Sequence, residues 1–416
     1  MPIALILADD LTGAADTGVQ FAAHGWRTLL ALEPSGTGAA DILAMSTDSR
    51  SLSSAAEAGQ AVSQVLSALS AQPAYHDLLP SFRLIYKKMD STLRGYPAAE
   101  LAALLAMLGE NRALIAPAFP PQGRTTLDGI QFMHGQPLEK TSFAADIATS
   151  NLLDLFGSSP FPAPELLPLH IVRQGQVAVG NAIRQARGPL IADAETEADL
   201  KTLARATLAE GLRVCCGSAG LAAALVECMA TPAATQPLSF SPTPGHILAV
   251  AGSLNPATLA QVEYAADRGF RVVQPTADFY RETGEDAISE TAARVVAALA
   301  AGDPVILATP LERVQSAGMD LPTRTPFAFR LAQVVAAAFK DSLPGGLMLN
   351  GGDTARAVFA VIGCTRLWLG GQIEPGIPWG MMADGRFPSL PVITKAGGFG
   401  QENSLYKALK FLRGEV

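Results

Sequence analysis

Short apolar runs alternate along the whole chain with longer stretches in which alanine and leucine recur at helical spacing. The strand-like runs fall at residues 3–7, 28–32, 42–46, 84–87, 113–116, 190–192, 214–216, 247–251, 271–274, 304–308 and 346–350. Between them, 54–69, 98–108, 197–209, 257–268, 287–301 and 329–339 carry helix formers in a 3.6-residue period. Strands alternating with helices make βα units and mostly parallel sheets, so the pattern predicts an α/β protein. A chain of 416 residues exceeds what one core usually organises, which predicts two domains. The pattern lapses at 231–245, TPAATQPLSFSPTPG, where four prolines leave little apolar content beyond Leu238 and Phe240. The boundary is placed there: a first domain over 1–232, a linker over 233–244 and a second domain over 245–416, each with a mostly parallel sheet flanked by helices. Residues 157–168 also hold four prolines and are taken as a connection inside the first domain.

Charge collects where strands end. The first run leads into Asp9-Asp10-Leu11-Thr12-Gly13 and a helix through Phe21 to His24. Ligands of open α/β sheets bind beyond the carboxyl ends of the strands, so two adjacent acids there point to chemistry. They repel each other unless a cation, a ligand hydroxyl or helix N-terminal dipoles stabilise them, and one of them can serve simply as the helix cap. The 84–87 run ends likewise in Lys87-Lys88-Met89-Asp90-Ser91-Thr92-Leu93-Arg94-Gly95. Neighbouring residues of a strand face opposite ways, so one lysine at most faces a site, and Lys88 is taken as that one. Arg94 suits a carboxylate, while Asp90 and Ser91 suit hydroxyls. The loop Pro117-Ala118-Phe119-Pro120-Pro121-Gln122-Gly123-Arg124 borders the same edge or is simply a turn.

Three glycine-rich loops follow strands of the second domain: Gly252-Ser253-Leu254-Asn255-Pro256, Gly351-Gly352-Asp353-Thr354 and Lys395-Ala396-Gly397-Gly398. Glycines let backbone N–H groups approach phosphate oxygens, and a helix start adds a favourable dipole, so three such loops predict a nucleotide site. None matches G-x-x-x-x-G-K-[ST], and the glycines at 36–38 and 398–400 lack the last glycine of a dinucleotide fingerprint. Gly370 to Pro378 reads as a rigid turn with one acid.

Composition narrows the partners. Hydrophobic residues make up 49% of the chain and charged ones 16%, ample for two cores. A net charge of −8 argues against nucleic acid and anionic membranes, so an anionic ligand requires locally concentrated cations. No apolar run approaches a membrane span and the start lacks a basic flank, so a cytoplasmic protein is expected, with homo-oligomers open. The four cysteines form no C-x-x-C pair and the five histidines are far apart, which fits reduced thiols better than zinc.

These runs, in this order, resemble the four-carbon acid sugar kinase family: ADDLTGAADTG at 8–18, KKMDSTLRG at 87–95, APAFPPQGR at 116–124, GSAGLA at 217–222, AGSLNPAT at 251–258, GGDTA at 351–355, IEPGIPWG at 373–380 and TKAGGFG at 394–400. The resemblance implies an N-terminal acid-sugar domain, a C-terminal ATP domain, and transfer of the γ-phosphoryl group to the terminal hydroxyl of a four-carbon sugar acid. It implies ATP contacts from Ser253, Gly351, Gly352, Asp353, Thr354, Gly397 and Gly398, and acid-sugar contacts from Asp10, Asp16, Asp90 and Arg94. Asp9, Lys88 and Ser91 join the sugar-acid set by position, and Lys395 the ATP set. Mg²⁺ is expected to bridge the phosphates, and one of Asp9, Asp10 and Asp90 to accept the proton, with Asp10 taken as that one. Tyr96 stands where the family often has asparagine, and Leu254 where it often has cysteine. Asp16-Thr17-Gly18-Val19-Gln20 looks more like the D-threonate and D-erythronate kinases than the 3-oxo-tetronate branch. A sugar-acid isomerase or dehydrogenase, or a non-catalytic sugar-acid sensor, are the readings from other classes.

Overall fold

The first apolar run becomes strand β1 (Ala4–Ala8) in a computed structural model of the chain, and none of its five residues is accessible to solvent. A strand buried on both faces sits inside a sheet covered by helices, the usual setting of parallel strands. The structure describes residues 2–34, 39–71, 78–157, 162–230, 238–242, 247–275, 279, 285–302, 304–309, 324–340 and 344–415. It divides into two units, Met1–Gln236 and Pro237–Val416.

The first unit adds β2 (Thr28–Ala31), β3 (Ile42–Ser46), β4 (Leu84–Lys88), β5 (Leu114–Ala116), β6 (Arg124–Leu127), β7 (Ile130–Met133), β8 (Gln136–Pro137), β9 (Glu165–Leu167), β10 (Leu190–Ala192) and β11 (Val214–Gly217). Within it the main sheet runs β2-β3-β1-β4-β11-β5-β10-β9, with every pair parallel. The chain leaves β1 toward β2 and β3 on one side and returns to β4 on the other. That makes the end of β1 a topological switch point, where the connecting loops diverge and leave a crevice. The helices Leu11–Ala23, Ala219–Cys228, Glu197–Ala209 and Gln176–Gln185 pack one against the next, and Ala55–Ala71 pairs with Pro97–Leu108. Strands β6, β7 and β8 form a separate antiparallel sheet, which the sequence reading did not foresee.

The second unit holds β12 (Ile247–Ala251), β13 (Arg271–Val273), β14 (Val305–Ala308), β15 (Gly346–Asn350), β16 (Arg366–Glu374), β17 (Ile377–Met382) and β18 (Pro391–Lys395). Its order is β13-β14-β12-β15-β18-β17-β16, parallel as far as β18 and antiparallel beyond. Here the switch point lies between β12 and β15. The α/β class and the mostly parallel sheets are as expected.

Three local readings change. Gly370 to Pro378, expected to be a rigid turn, is mostly strand: β16 and β17 pair as a hairpin about Pro375-Gly376. A Cβ on Gly370 would lie 2.5 Å from the Trp379 ring, so these glycines are there to let the indole lie flat on β16. The proline-rich stretch at 157–168 contains β9. Of the expected linker, 233–237 and 243–244 lie outside the described residues, as do Gly36, Thr37 and Gly38. Residues 238–242 are not a bare spacer, because Phe240 packs edge-on against Trp379 (5.5 Å) and Phe411 (5.4 Å) of the second unit.

Candidate active site

At the end of β1 the two adjacent acids are held apart in role by one arginine. Arg50 sits just past β3, the strand beside β1, and forks onto Asp9 through Nε and Nη2 at 2.7 and 2.8 Å. Its Nη1 donates to Asp10 at 2.5 Å. Asp10 also caps the helix Leu11–Ala23, accepting the Gly13 N–H at 2.7 Å. Only glycine fits at 13, since a Cβ there would lie 2.6 Å from the Asp10 carboxylate. Burial works against the ionised Asp9, yet Arg50, with Lys87 and Lys88, holds its carboxyl below the usual range. The same burial, reinforced by the Asp9 charge, leaves the Asp10 carboxyl raised. Two of the three stabilisers anticipated for such a pair, a cation and a helix start, are therefore present.

The β4 loop supplies the opposite wall. Asp90 accepts hydrogen bonds from the Thr92 hydroxyl at 2.6 Å and from Arg94 Nε. Burial opposes its charge, but Arg50 and Arg94 hold the Asp90 carboxyl well below the ordinary range. Arg94 is 38% exposed and stacks over Phe143, 5.5 Å from the ring centre. Ser91 is half-buried, and its carbonyl accepts the Gln131 amide at 2.9 Å. Arg124, in the loop that the sequence left open, shares its electrostatic surroundings with Asp90 and Arg94, and its Nε is buried without a hydrogen-bond partner among the described residues. An orphaned guanidinium N–H beside Arg94 is what an incoming carboxylate would satisfy.

The two lysines of β4 part as strand alternation requires. Lys87 is inaccessible and pairs with the equally buried Glu100 at 2.6 Å. Glu100 also takes the Ser49 hydroxyl at 2.5 Å, and Ser49 meets Thr47 at 2.7 Å. This dry network buttresses the turn that carries Arg50. Lys88 donates to the Met89 carbonyl at 2.8 Å, and its charge acts on Asp9, Asp10 and Asp16. The sequence reading missed Arg50 and Glu100 altogether.

In the second unit the three glycine loops meet. Gly351 takes φ 111°, open to glycine and strained for other residues, and its N–H donates to the Lys395 carbonyl at 2.8 Å. A Cβ on Gly397 would stand 2.0 Å from Ser253 Oγ, and one on Gly398 would stand 3.2 Å from the Asn255 amide. A Cβ on Gly252 would meet Thr354 Oγ1 at 2.3 Å. Ser253 thus lies among all three loops. Two helices start here, Pro256–Ala266, capped by Asn255, and Gly352–Val361, with Asp353 exposed in its first turn. Asn255 already takes the first N–H groups of the former, so the cradle for an anion is the start of Gly352–Val361 with the backbone of the loops around it.

Lys395 has a structural role. It is 1% exposed, and its ammonium donates to the carbonyls of Ala396 (2.9 Å), Gly397 (3.2 Å) and Phe399 (3.0 Å). With all three protons engaged, it pins the loop from within. Thr258 and Gln261 hold the same loop, donating to Gly397 (2.8 Å) and to Phe399 and Gln401 (3.0 and 2.9 Å).

Residues 4–225 match a family model described as a sugar-binding N-terminal domain, and residues 248–405 match one described as a nucleotide-binding C-terminal domain. The chain is 34% identical to a D-threonate kinase of Salmonella typhimurium, over 98% of each protein. It is 35% identical to a D-threonate kinase of Cupriavidus necator, over 97% of this chain and 96% of that one. A D-erythronate kinase of Heliobacterium modesticaldum and a 3-oxo-tetronate kinase of Methylobacterium radiotolerans each share 29% over 98% of this chain, and over 96% and 98% of their own lengths. A solved structure from Salmonella typhimurium LT2 superposes with a TM-score of 0.82 at 22% identity, over 97% of this chain and 98% of that one, which bears on the fold alone. Fold, site and relatives together define a carbohydrate kinase. The chain belongs to the four-carbon acid sugar kinase family. Among the described residues no helix is long and apolar enough to cross a membrane.

Proposed function

We propose that this chain transfers the γ-phosphoryl group of ATP to the C4 hydroxyl of D-threonate or D-erythronate, giving the 4-phosphate. The observation that carries the proposal is the pairing, in one chain, of an arginine-braced acid cluster with a separate three-loop anion cradle. Neither a sensor nor an isomerase has use for the second. D-Threonate is favoured because the relatives at 34% and 35% identity act on it, with 3-oxo-tetronate the alternative. We assign the acid sugar to residues 1–232 and the nucleotide to residues 245–416, joined by 233–244.

In the first site Arg94, joined by Arg124, takes the substrate carboxylate, while Asp90, Ser91 and Lys88 meet its hydroxyls. In the second, Ser253, the backbone of Gly352 and Thr354, and the N–H groups of Gly397 and Gly398 take the phosphates, with Gly351 shaping the turn that presents them. Mg²⁺ would partly neutralise those phosphates. Among the described residues no group of three His, Cys, Asp or Glu side chains stands ready for a metal. That suits an ion carried mainly by phosphate oxygens, which asks the protein for only one or two carboxylates. The exposed Asp353, beside Thr354, is the acid at that loop.

ATP consumption with D-threonate, D-erythronate and 3-oxo-tetronate, measured side by side, tests the assignment. Turnover is expected with D-threonate first, and a dominant rate on the oxo acid would reverse the substrate order. Arg94→Ala is expected to raise KM for the acid about 10- to 100-fold, the worth of one charged hydrogen bond. Because Arg94 is partly exposed, thermal stability should shift little. An unchanged KM would remove Arg94 from the substrate contacts.

A further inference from the structure

Four carboxylates gather at the sugar-acid end of the site: Asp9, Asp10, Asp16 and Asp90. Phosphoryl transfer to a hydroxyl asks one of them to receive a proton, and a proton acceptor needs an oxygen that no protein donor already occupies. Asp9 commits both oxygens to the Arg50 fork. Asp10 gives Oδ1 to the Gly13 N–H and Oδ2 to Arg50. To accept a proton it would have to surrender either the helix cap or the ion pair. Asp90 takes Thr92 and Arg94 on one oxygen, Oδ2, and leaves Oδ1 open, but Arg50 and Arg94 hold its carboxyl well below the ordinary range, which makes it a poor base.

Asp16 differs from all three. It stands in the second turn of the helix Leu11–Ala23, half-buried, and among the described residues its carboxylate takes no hydrogen bond or ion pair. The charges that act on it are Lys88, from β4, and Asp10, at the cap of its own helix. Gly13, one turn earlier, brings that helix against the Lys88 stem, where a Cβ would stand 3.6 Å from Lys88 Cγ. Burial raises the Asp16 carboxyl above the ordinary aspartate range, the Asp10 charge adds to this, and Lys88 opposes it. A raised carboxylate with no protein donor on either oxygen can take a proton without giving up a contact, as Asp9 and Asp10 cannot.

We propose that Asp16, in place of the expected Asp10, is the proton acceptor for phosphoryl transfer, while Asp9 and Asp10 serve to hold Arg50 and the helix start. The assignment rests on the kinase reading above. In the step, the C4 hydroxyl oxygen forms its bond to the γ-phosphorus of ATP. The bond from that phosphorus to the β,γ-bridging oxygen breaks, and its electron pair leaves on ADP. The hydroxyl proton passes to an Asp16 carboxylate oxygen and then to water. The Lys88 charge favours the ionised form of Asp16 against its burial.

The test compares steady-state kinetics of the full-length protein and its Asp16→Asn, Asp16→Glu and Asp10→Asn variants, with ATP and D-threonate, from pH 5 to 9. Asp16→Asn is expected to lower kcat by about 10²- to 10⁴-fold, the usual share of a general base. KM for either substrate should move less than about threefold, as expected of a group acting on the chemical step. The wild-type rate should fall on the acid side, with an apparent pKa above the ordinary aspartate range, and Asp16→Asn should abolish that limb. Asp16→Glu should recover part of the rate, and is the variant to use if the asparagine form fails to fold. Asp10→Asn keeps a capping side chain and should lose less kcat than Asp16→Asn. Retention of kcat within about tenfold in Asp16→Asn, with the acid limb intact, would overturn the assignment and leave the kinase reading standing. A larger kcat loss in Asp10→Asn at equal thermal stability would return the role to Asp10. Wild-type protein that consumes no ATP with any four-carbon acid would instead sink the kinase reading itself.

Discussion

Replacing Arg50 with alanine is expected to cost both folding and turnover: about 3 kcal/mol of stability and at least about a thousandfold in kcat/KM. The stability loss follows from Asp9, which is 2% exposed and draws both of its acceptor contacts from the Arg50 fork. Without the guanidinium a buried carboxylate is left uncompensated beside a second acid, the costliest way to break such a pair. The kinetic loss follows because Asp10, the helix start and Asp90 all take their electrostatic setting from the same side chain. Lysine should rescue poorly, since a point charge cannot span two carboxylates as the planar fork does. The double variant Asp9→Asn/Arg50→Met separates the effects. It should recover much of the thermal midpoint while activity stays lost. Thermal melts with kinetics on the four proteins check this, and an Arg50→Ala protein with a wild-type melting point would refute the bracing role.

Gly397→Ala is expected to raise KM for ATP at least about a hundredfold, through an obstructed phosphate cradle. The added Cβ would fall 2.0 Å from Ser253 Oγ and 2.9 Å from its Cβ, so turning the hydroxyl away does not make room. The loop cannot easily retreat, because Lys395, Thr258 and Gln261 hold its carbonyls from below. Gly398→Ala is the natural contrast. Its nearest neighbour is the end of the Asn255 side chain at 3.2 Å, so a smaller rise is expected. ATP titrations of both variants at saturating sugar acid make the comparison, and equal effects would place the obstruction elsewhere.

How far the site could be foreseen depended on whether its residues lie near one another in sequence. Asp9 and Asp10 follow an apolar run almost directly, and Asp90 and Arg94 lie in the short loop after another, so strand periodicity alone puts them beyond strand ends. Alternation along β4 also separates Lys87 from Lys88, and the structure sends Lys87 to Glu100. Arg50 lies about forty residues from the acids it braces, in a turn whose composition is ordinary. Its relevance appears only once β3 is known to lie beside β1, and strand order is a long-range property that no local pattern encodes. Glu100 was hidden for another reason: in a helix of small and apolar residues it looks like a surface acid, and its burial is set by a lysine on a neighbouring strand. Lys395 shows how a local pattern can hide a second role. A lysine in a glycine loop suggests a phosphate ligand, but the carbonyls of a tight loop compete for the same protons. The β16–β17 hairpin was lost because the glycines that accommodate Trp379 erase the strand signal.

Lys395 carries one more consequence. Burial, with no carboxylate beside it among the described residues, pushes its ammonium down to about 8. A polyanion settling on the loop above would favour the charged form and lift that value. Nucleotide binding just above pH 8 is then linked to uptake of a proton, and the heat of binding there depends on the ionisation enthalpy of the buffer. A lysine that need not touch the phosphates would thereby still register their arrival.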